Sequence, residues 1–130
     1  MAYRLAIIDD DEKVLTSLKR YFTLRNYGVD AYSDSAAAIN GIKSRLTKIA
    51  LVDIGMPGID GLEVLRRLKK HNPLIQVVIM TGNATAQVVR EALDAGASGF
   101  VVKPFDSLQM LEREIEKAIR TFESHTSKFK

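Results

Sequence analysis

Asp9, Asp10, Asp53, Thr81 and Lys103 are the residues whose types could do chemistry together, and each stretch that carries them ends an apolar run. Leu5-Ala6-Ile7-Ile8 runs into Asp9-Asp10-Asp11-Glu12, and Ile49-Ala50-Leu51-Val52 into Asp53 and the turn formers Gly55-Met56-Pro57-Gly58-Ile59-Asp60-Gly61. Val77-Val78-Ile79-Met80 ends at Thr81-Gly82-Asn83, and Phe100-Val101-Val102 at Lys103-Pro104. Taken singly, each residue has an ordinary explanation. A loop aspartate usually serves a turn, a threonine before a helix usually caps it, and a lone lysine is usually solvated.

Together they form a charge problem. Three carboxylates in one crevice repel, and a like-charged pair near 4 Å costs about 4 kcal/mol at an effective dielectric of about 20. Either one carboxylate takes up a proton, or a divalent cation and the Lys103 ammonium neutralise the cluster. A donor set of oxygens without His or Cys suits Mg²⁺, with Mn²⁺ as the second choice, rather than Zn²⁺. Such a site is equipped to handle a phosphoryl group, which needs an in-line nucleophile and positive charge around its equatorial oxygens. Asp53 would be the nucleophile, Asp10 with Asp9 in support would hold the ion, and Lys103 and Thr81 would bind the transferred oxygens.

For these residues to meet, the elements between them must return each strand end to one rim. Tyr3 to Ile8, Val29 to Tyr32, Lys48 to Asp53, Ile75 to Met80 and Ser98 to Val102 read as five strands. Between them lie segments of helical period. The first starts at Asp11 with Val14, Leu15, Leu18 and Phe22 on one face; the second spans Ala36 to Leu46 behind the cap candidates Ser33-Asp34-Ser35. The third carries Leu62, Leu65 and Leu68 and ends at His71-Asn72-Pro73, with Asp60 as its cap. The fourth covers Ala84 to Ala95 and closes at Gly96. The fifth shows a stripe of Leu108, Leu111, Ile115, Ala118, Ile119 and Phe122, with Glu112, Arg113, Glu116, Lys117 and Arg120 read as exposed charges. Strict alternation predicts an α/β fold, a flavodoxin-like (βα)5 three-layer sandwich whose parallel sheet has the order 2-1-3-4-5. The carboxyl ends of its strands form the ligand crevice.

Composition narrows the classes. A chain of 130 residues supports one core. The absence of Cys removes disulfides, thiolate metal sites and cysteine nucleophiles. Net charge is +3, from 19 basic and 16 acidic residues that are interspersed, which points away from a nucleic-acid patch. With no bilayer-spanning run and no signal-peptide pattern, a cytoplasmic location is the default expectation.

At these residues the sequence resembles the response-regulator receiver domains of two-component signalling. Ile7-Ile8-Asp9-Asp10-Asp11-Glu12 resembles the family's acidic pair, and Asp53-Ile54-Gly55-Met56-Pro57-Gly58-Ile59-Asp60-Gly61 its phosphoacceptor loop. Thr81-Gly82 is similar to the switch hydroxyl and its small neighbour, and Lys103-Pro104-Phe105 to the lysine followed by proline. The resemblance runs from about residue 3 to residue 122, which implies a receiver domain over 1–122 and a polar tail or truncated linker over 123–130.

The resemblance implies that Asp53 accepts a phosphoryl group from a phosphohistidine on a sensor histidine kinase or histidine phosphotransfer protein. Asp10 would bind Mg²⁺ directly and Asp9 through water, with the Gly55 backbone carbonyl completing the protein ligands. Phe100 falls at the aromatic switch position, the Lys103-Pro104 peptide would be cis, and Gly55 and Asn83 occupy positions that tune phosphoryl lifetime. The phosphorylated protein would change the surface of its fourth helix, fifth strand and fifth helix, and could form a homodimer there. Neither nucleic acid nor membrane would be bound directly.

Two other classes are weighed against this. A Mg²⁺-dependent phosphatase of the haloacid-dehalogenase type would also use Asp53 as nucleophile, but usually has a second aspartate two residues on, where this chain has Gly55. A flavin-binding protein needs a Gly, Ser and Thr-rich phosphate loop after the first strand, and here that loop is acidic. His71 at a helix end and His125 in the tail have no partner groups that would make either a phosphorelay histidine.

Overall fold

The structure, a computed structural model, describes residues 3–127. Five strands, β1 (Arg4–Ile8), β2 (Gly28–Tyr32), β3 (Ile49–Asp53), β4 (Gln76–Thr81) and β5 (Gly99–Val102), alternate with α1 (Glu12–Leu24), α2 (Ser35–Arg45), α3 (Gly61–His71), α4 (Ala86–Asp94) and α5 (Leu108–Ser127). All strand pairs are parallel, in the order β2-β1-β3-β4-β5. This is the order expected from the alternation of elements. Central strands β3 and β4 are buried along their whole length, which is why they read as unbroken apolar runs.

Successive side chains of a strand point to opposite faces, and the two faces bury separate clusters. Ala6, Ile8, Ala50, Val52, Val77 and Ile79 pack with residues of α2, α3 and α4. Leu5, Ile7, Ile49, Leu51, Val78 and Met80 pack with Leu15, Leu18 and Phe22 of α1 and with Leu111, Ile115 and Ala118 of α5.

Helix starts follow local capping chemistry. Asp11 accepts from the Lys13 and Val14 N–H groups, Asp34 from Ala37, Asp60 from Glu63 and Thr85 from Val88. The Thr85 cap sets the start of α4 at Ala86, two residues beyond the expected Ala84.

Two expectations about α5 are corrected. The apolar stripe predicts an end near Phe122 and a polar tail from Glu123, yet the helix continues to Ser127. The polar segment is held by the opposite end of the chain. Tyr3 donates to Glu123 Oε2 at 2.7 Å, and its ring meets Phe122 edge-on with centroids 6.4 Å apart. The Thr126 hydroxyl donates to the Phe122 carbonyl, and residues 128–130 lie outside the described residues. Glu112, expected to be an exposed charge, is buried. Its Oε1 accepts from the Tyr21 phenol at 2.7 Å and from Arg25 Nε at 3.1 Å, which ties α5 to the end of α1.

Candidate functional site

Parallel register puts the expected chemistry on one rim. Ile8 pairs with Val52, Asp53 with Met80 and Thr81 with Val102, so the residues that follow β1, β3, β4 and β5 emerge side by side. Carboxylate oxygens from Asp9, Asp10 and Asp53 all lie within 4.8 Å of one another. Asp9 is fully buried, Asp53 nearly so, and Asp10 is exposed.

Lys103 sits among them. Its Nζ donates to Asp9 Oδ2 at 2.5 Å and lies 3.6 Å from Asp53 Oδ2. The other oxygen of Asp9 accepts from the Asp11 N–H at 2.9 Å, and Asp53 Oδ1 accepts from the Gly55 N–H at 3.2 Å. Lys103 is fixed in turn by its backbone N–H, which donates to the Thr81 carbonyl at 2.7 Å, and it precedes the cis peptide Lys103-Pro104.

Three carboxylates therefore face one ammonium. Burial pushes the Asp53 carboxyl above the usual carboxylate range. The Gly55 N–H opposes that rise, Asp9 adds to it, Lys103 opposes it and Asp10 adds to it again. A hard divalent cation fits this cluster, because the donors are all oxygens and one ammonium does not balance three carboxylates.

Thr81 is buried, and its Oγ1 accepts from the Asn83 N–H at 3.1 Å. It does not cap α4; Thr85 does. Phe100 pairs with Ile79, two residues along from the Thr81 and Val102 pair, and packs partly buried against the cluster under α3 and α4. The hydroxyl and the aromatic ring thus belong to adjoining strands, and the ring faces the cluster that α2, α3 and α4 cover.

Two further residues shape the loop that follows Asp53. A Cβ at Gly61 would lie 2.3 Å from the Asp53 carbonyl oxygen, so α3 can start against β3 only with glycine there. Ser35, at the start of α2, donates to the Ile59 carbonyl at 2.6 Å. Its one sequence signal was a hydroxyl beside Asp34, which already supplies the cap.

Residues 5–115 match the model of the response regulator receiver domain. The transcriptional regulatory protein FixJ of Bradyrhizobium diazoefficiens is 33% identical over 117 residues, covering 90% of this chain and 57% of that protein. Response regulator MprA of Mycobacterium tuberculosis is 32% identical over 113 residues, covering 87% of this chain and 49% of that protein. The chain thus spans about half the length of the curated relatives it matches. Among solved structures, a CheY-like receiver domain protein from Methanospirillum hungatei superposes with a TM-score of 0.87 at 27% identity, covering 95% of this chain and 99% of that one. The CheX-CheY-BeF3-Mg complex from Borrelia burgdorferi gives 0.79 at 27% identity, covering 85% of each chain. With the family model spanning most of its length and the acidic rim in place, this chain belongs to the response regulator receiver domains of two-component systems.

Proposed function

We propose that this domain is a phosphorylation-activated switch whose acceptor is Asp53. The observation that carries the reading is the position of the Lys103 ammonium between Asp9 and Asp53, inside a cluster of three carboxylates. The donor would be a phosphohistidine on a sensor histidine kinase or histidine phosphotransfer protein. An Asp53 carboxylate oxygen attacks phosphorus, the P–N bond breaks, and the leaving imidazole nitrogen keeps the electron pair.

Asp10, Asp53 and the Gly55 carbonyl would hold Mg²⁺ directly, and Asp9 through water. When bound, the cation neutralises developing charge on the transferred oxygens. A solved CheY relative carries BeF3 and Mg²⁺ in its complex, which supports the same occupancy here. Gly55 offers no acid to protonate a leaving group, which favours a stoichiometric acceptor over a multiple-turnover phosphatase.

The new charge on Asp53 draws the Thr81 hydroxyl and Lys103 toward it, and Phe100 turns into the space that Thr81 leaves. Moving such an equilibrium from mostly off to mostly on needs about 3 to 5 kcal/mol, within reach of a few charge-assisted hydrogen bonds. The output surface is α4, β5 and α5. Only Ala92 of α4 is fully buried, and Leu93, Val102 and Met110 are exposed apolar residues, which suits a partner or a second copy of the chain. No helix among the described residues is long and apolar enough to cross a membrane, and the reading places the switch in the cytoplasm without direct nucleic-acid contact.

Acetyl phosphate labelling in the presence of Mg²⁺ tests the assignment. The wild-type chain should acquire an acid-stable, base-labile phosphoryl group and Asp53→Asn should not; stable labelling of that variant at the wild-type level would place the acceptor elsewhere.

A further inference from the structure

The phosphoacceptor loop leaves β3 at Asp53 and enters α3 at Gly61. Its ends are well held: the Ile54 N–H donates to the Met80 carbonyl, the Gly61 N–H to the Ile54 carbonyl, and Asp60 caps α3. The middle, Met56 to Ile59, is different. Met56 is buried and Ile59 packs partly buried on the core, but among the described residues a single side-chain hydrogen bond reaches these four positions. It comes from the hydroxyl of Ser35.

Ser35 is the first residue of α2 and is only 4% exposed. A serine at a helix start commonly serves its own helix. Here Asp34 already accepts the Ala37 N–H, so the Ser35 hydroxyl is free to donate to the Ile59 carbonyl at 2.6 Å. Apolar contacts fix how deep the loop sits but set no direction for its peptide planes, whereas a hydrogen bond does. Gly55, next to Met56, is held on its N–H side by Asp53 Oδ1 at 3.2 Å, and a Cβ there would meet only that same oxygen, at 3.9 Å, so no packing fixes the direction of its carbonyl.

We infer that Ser35 is a positioning residue that clamps the phosphoacceptor loop to α2 and so aims the Gly55 backbone beside Asp53. This rests on the proposed role of Asp53 and of the Gly55 carbonyl. It makes α2 part of the acceptor site, although among the described residues no α2 side chain is hydrogen-bonded to the acidic cluster. Outer-shell hydrogen bonds of this kind set metal affinity by orienting the ligands, and their loss typically costs 10-fold or more.

The test compares Ser35→Ala with the wild-type chain. Calorimetry should show Mg²⁺ binding weakened about tenfold, and acetyl phosphate labelling at subsaturating Mg²⁺ should slow by a similar factor. Amide exchange measured without metal should speed up at Gly55 and Gly61, the hydrogen-bonded amides that flank the loop, while the β3 and β4 amides stay protected. Ser35→Thr, which keeps the hydroxyl, should recover Mg²⁺ affinity. Equal Mg²⁺ affinity and equal loop exchange in Ser35→Ala would overturn the clamp. So would an affinity loss that merely follows a drop in global stability and is not rescued by threonine. Failure of the phosphoacceptor reading looks different: the wild-type chain itself would take up neither Mg²⁺ nor phosphate, whatever residue 35 is.

Discussion

Lys103 and Asp9 form the shortest ion pair among the described residues, with Nζ 2.5 Å from a carboxylate that has no solvent exposure, while the Asp53 carboxylate waits at 3.6 Å. The lysine is therefore committed first to the buried charge and only second to Asp53. Its main effect in this arrangement is on folding, since a buried carboxylate left unpaired is costly.

Removing that ammonium should reveal the cost. Lys103→Met is expected to destabilise the fold by about 3 kcal/mol in the presence of EDTA, because Asp9 stays buried without its partner. Mg²⁺ should restore part of the loss by supplying replacement charge. Urea unfolding with and without Mg²⁺ measures both, and a variant as stable as wild type in EDTA would mean that the pair contributes nothing.

Asp53 should show the opposite sign. Its carboxyl is pushed above the usual range, chiefly by burial, so folding disfavours the ionised form. Its stabilising contribution is present below the unfolded aspartate value and is lost as pH rises through the raised folded value. In EDTA at neutral pH, Asp53→Asn should therefore be more stable than wild type by about 1 kcal/mol, as is common where a functional site stores repulsion. The gap should close as pH falls below the ordinary aspartate range. Unfolding curves across that window check it, and a variant that is less stable at neutral pH contradicts it.

Gly61 should tolerate nothing larger. The 2.3 Å approach of an added Cβ to the Asp53 carbonyl oxygen forces β3 and α3 apart. We expect Gly61→Ala to cost about 3 kcal/mol and to suppress labelling of Asp53 beyond what the lost folded fraction explains. Labelling normalised to the folded population separates the two effects.

Tyr3 should titrate late. Burial and its hydrogen bond to Glu123 push its phenol up to about 12. The neutral phenol therefore supports the end of α5 fully below the ordinary tyrosine value, and that support fades as pH rises through about 12. Tyr21, Tyr27 and Tyr32 are also raised. Absorbance at tyrosinate wavelengths should thus show no early-titrating phenol in the native protein, and Tyr3→Phe should remove the latest step. Amide exchange near Glu123 should rise in the same variant.

Much of this architecture was legible because it is local. The strands end where apolar runs meet Asp9, Asp53, Thr81 and Lys103, and the caps Asp11, Asp34 and Asp60 act within three residues of themselves. Alternation of strand and helix then limits the sheet to very few orders, so the acidic rim could be anticipated. The extension of α5 could not be, because its polar last turns show no stripe and depend on Tyr3, 120 positions away. Nor could the burial of Glu112, whose partners Tyr21 and Arg25 lie on another helix.

What the amino-acid order determined by itself was the set of elements and the chemistry delivered to their ends, since periodicity and capping act over a few neighbouring residues. Which carboxylate Lys103 grips, which carbonyl Ser35 reaches and which glutamate is buried were decided only in three dimensions. Each depends on distance and desolvation between side chains that share no local pattern.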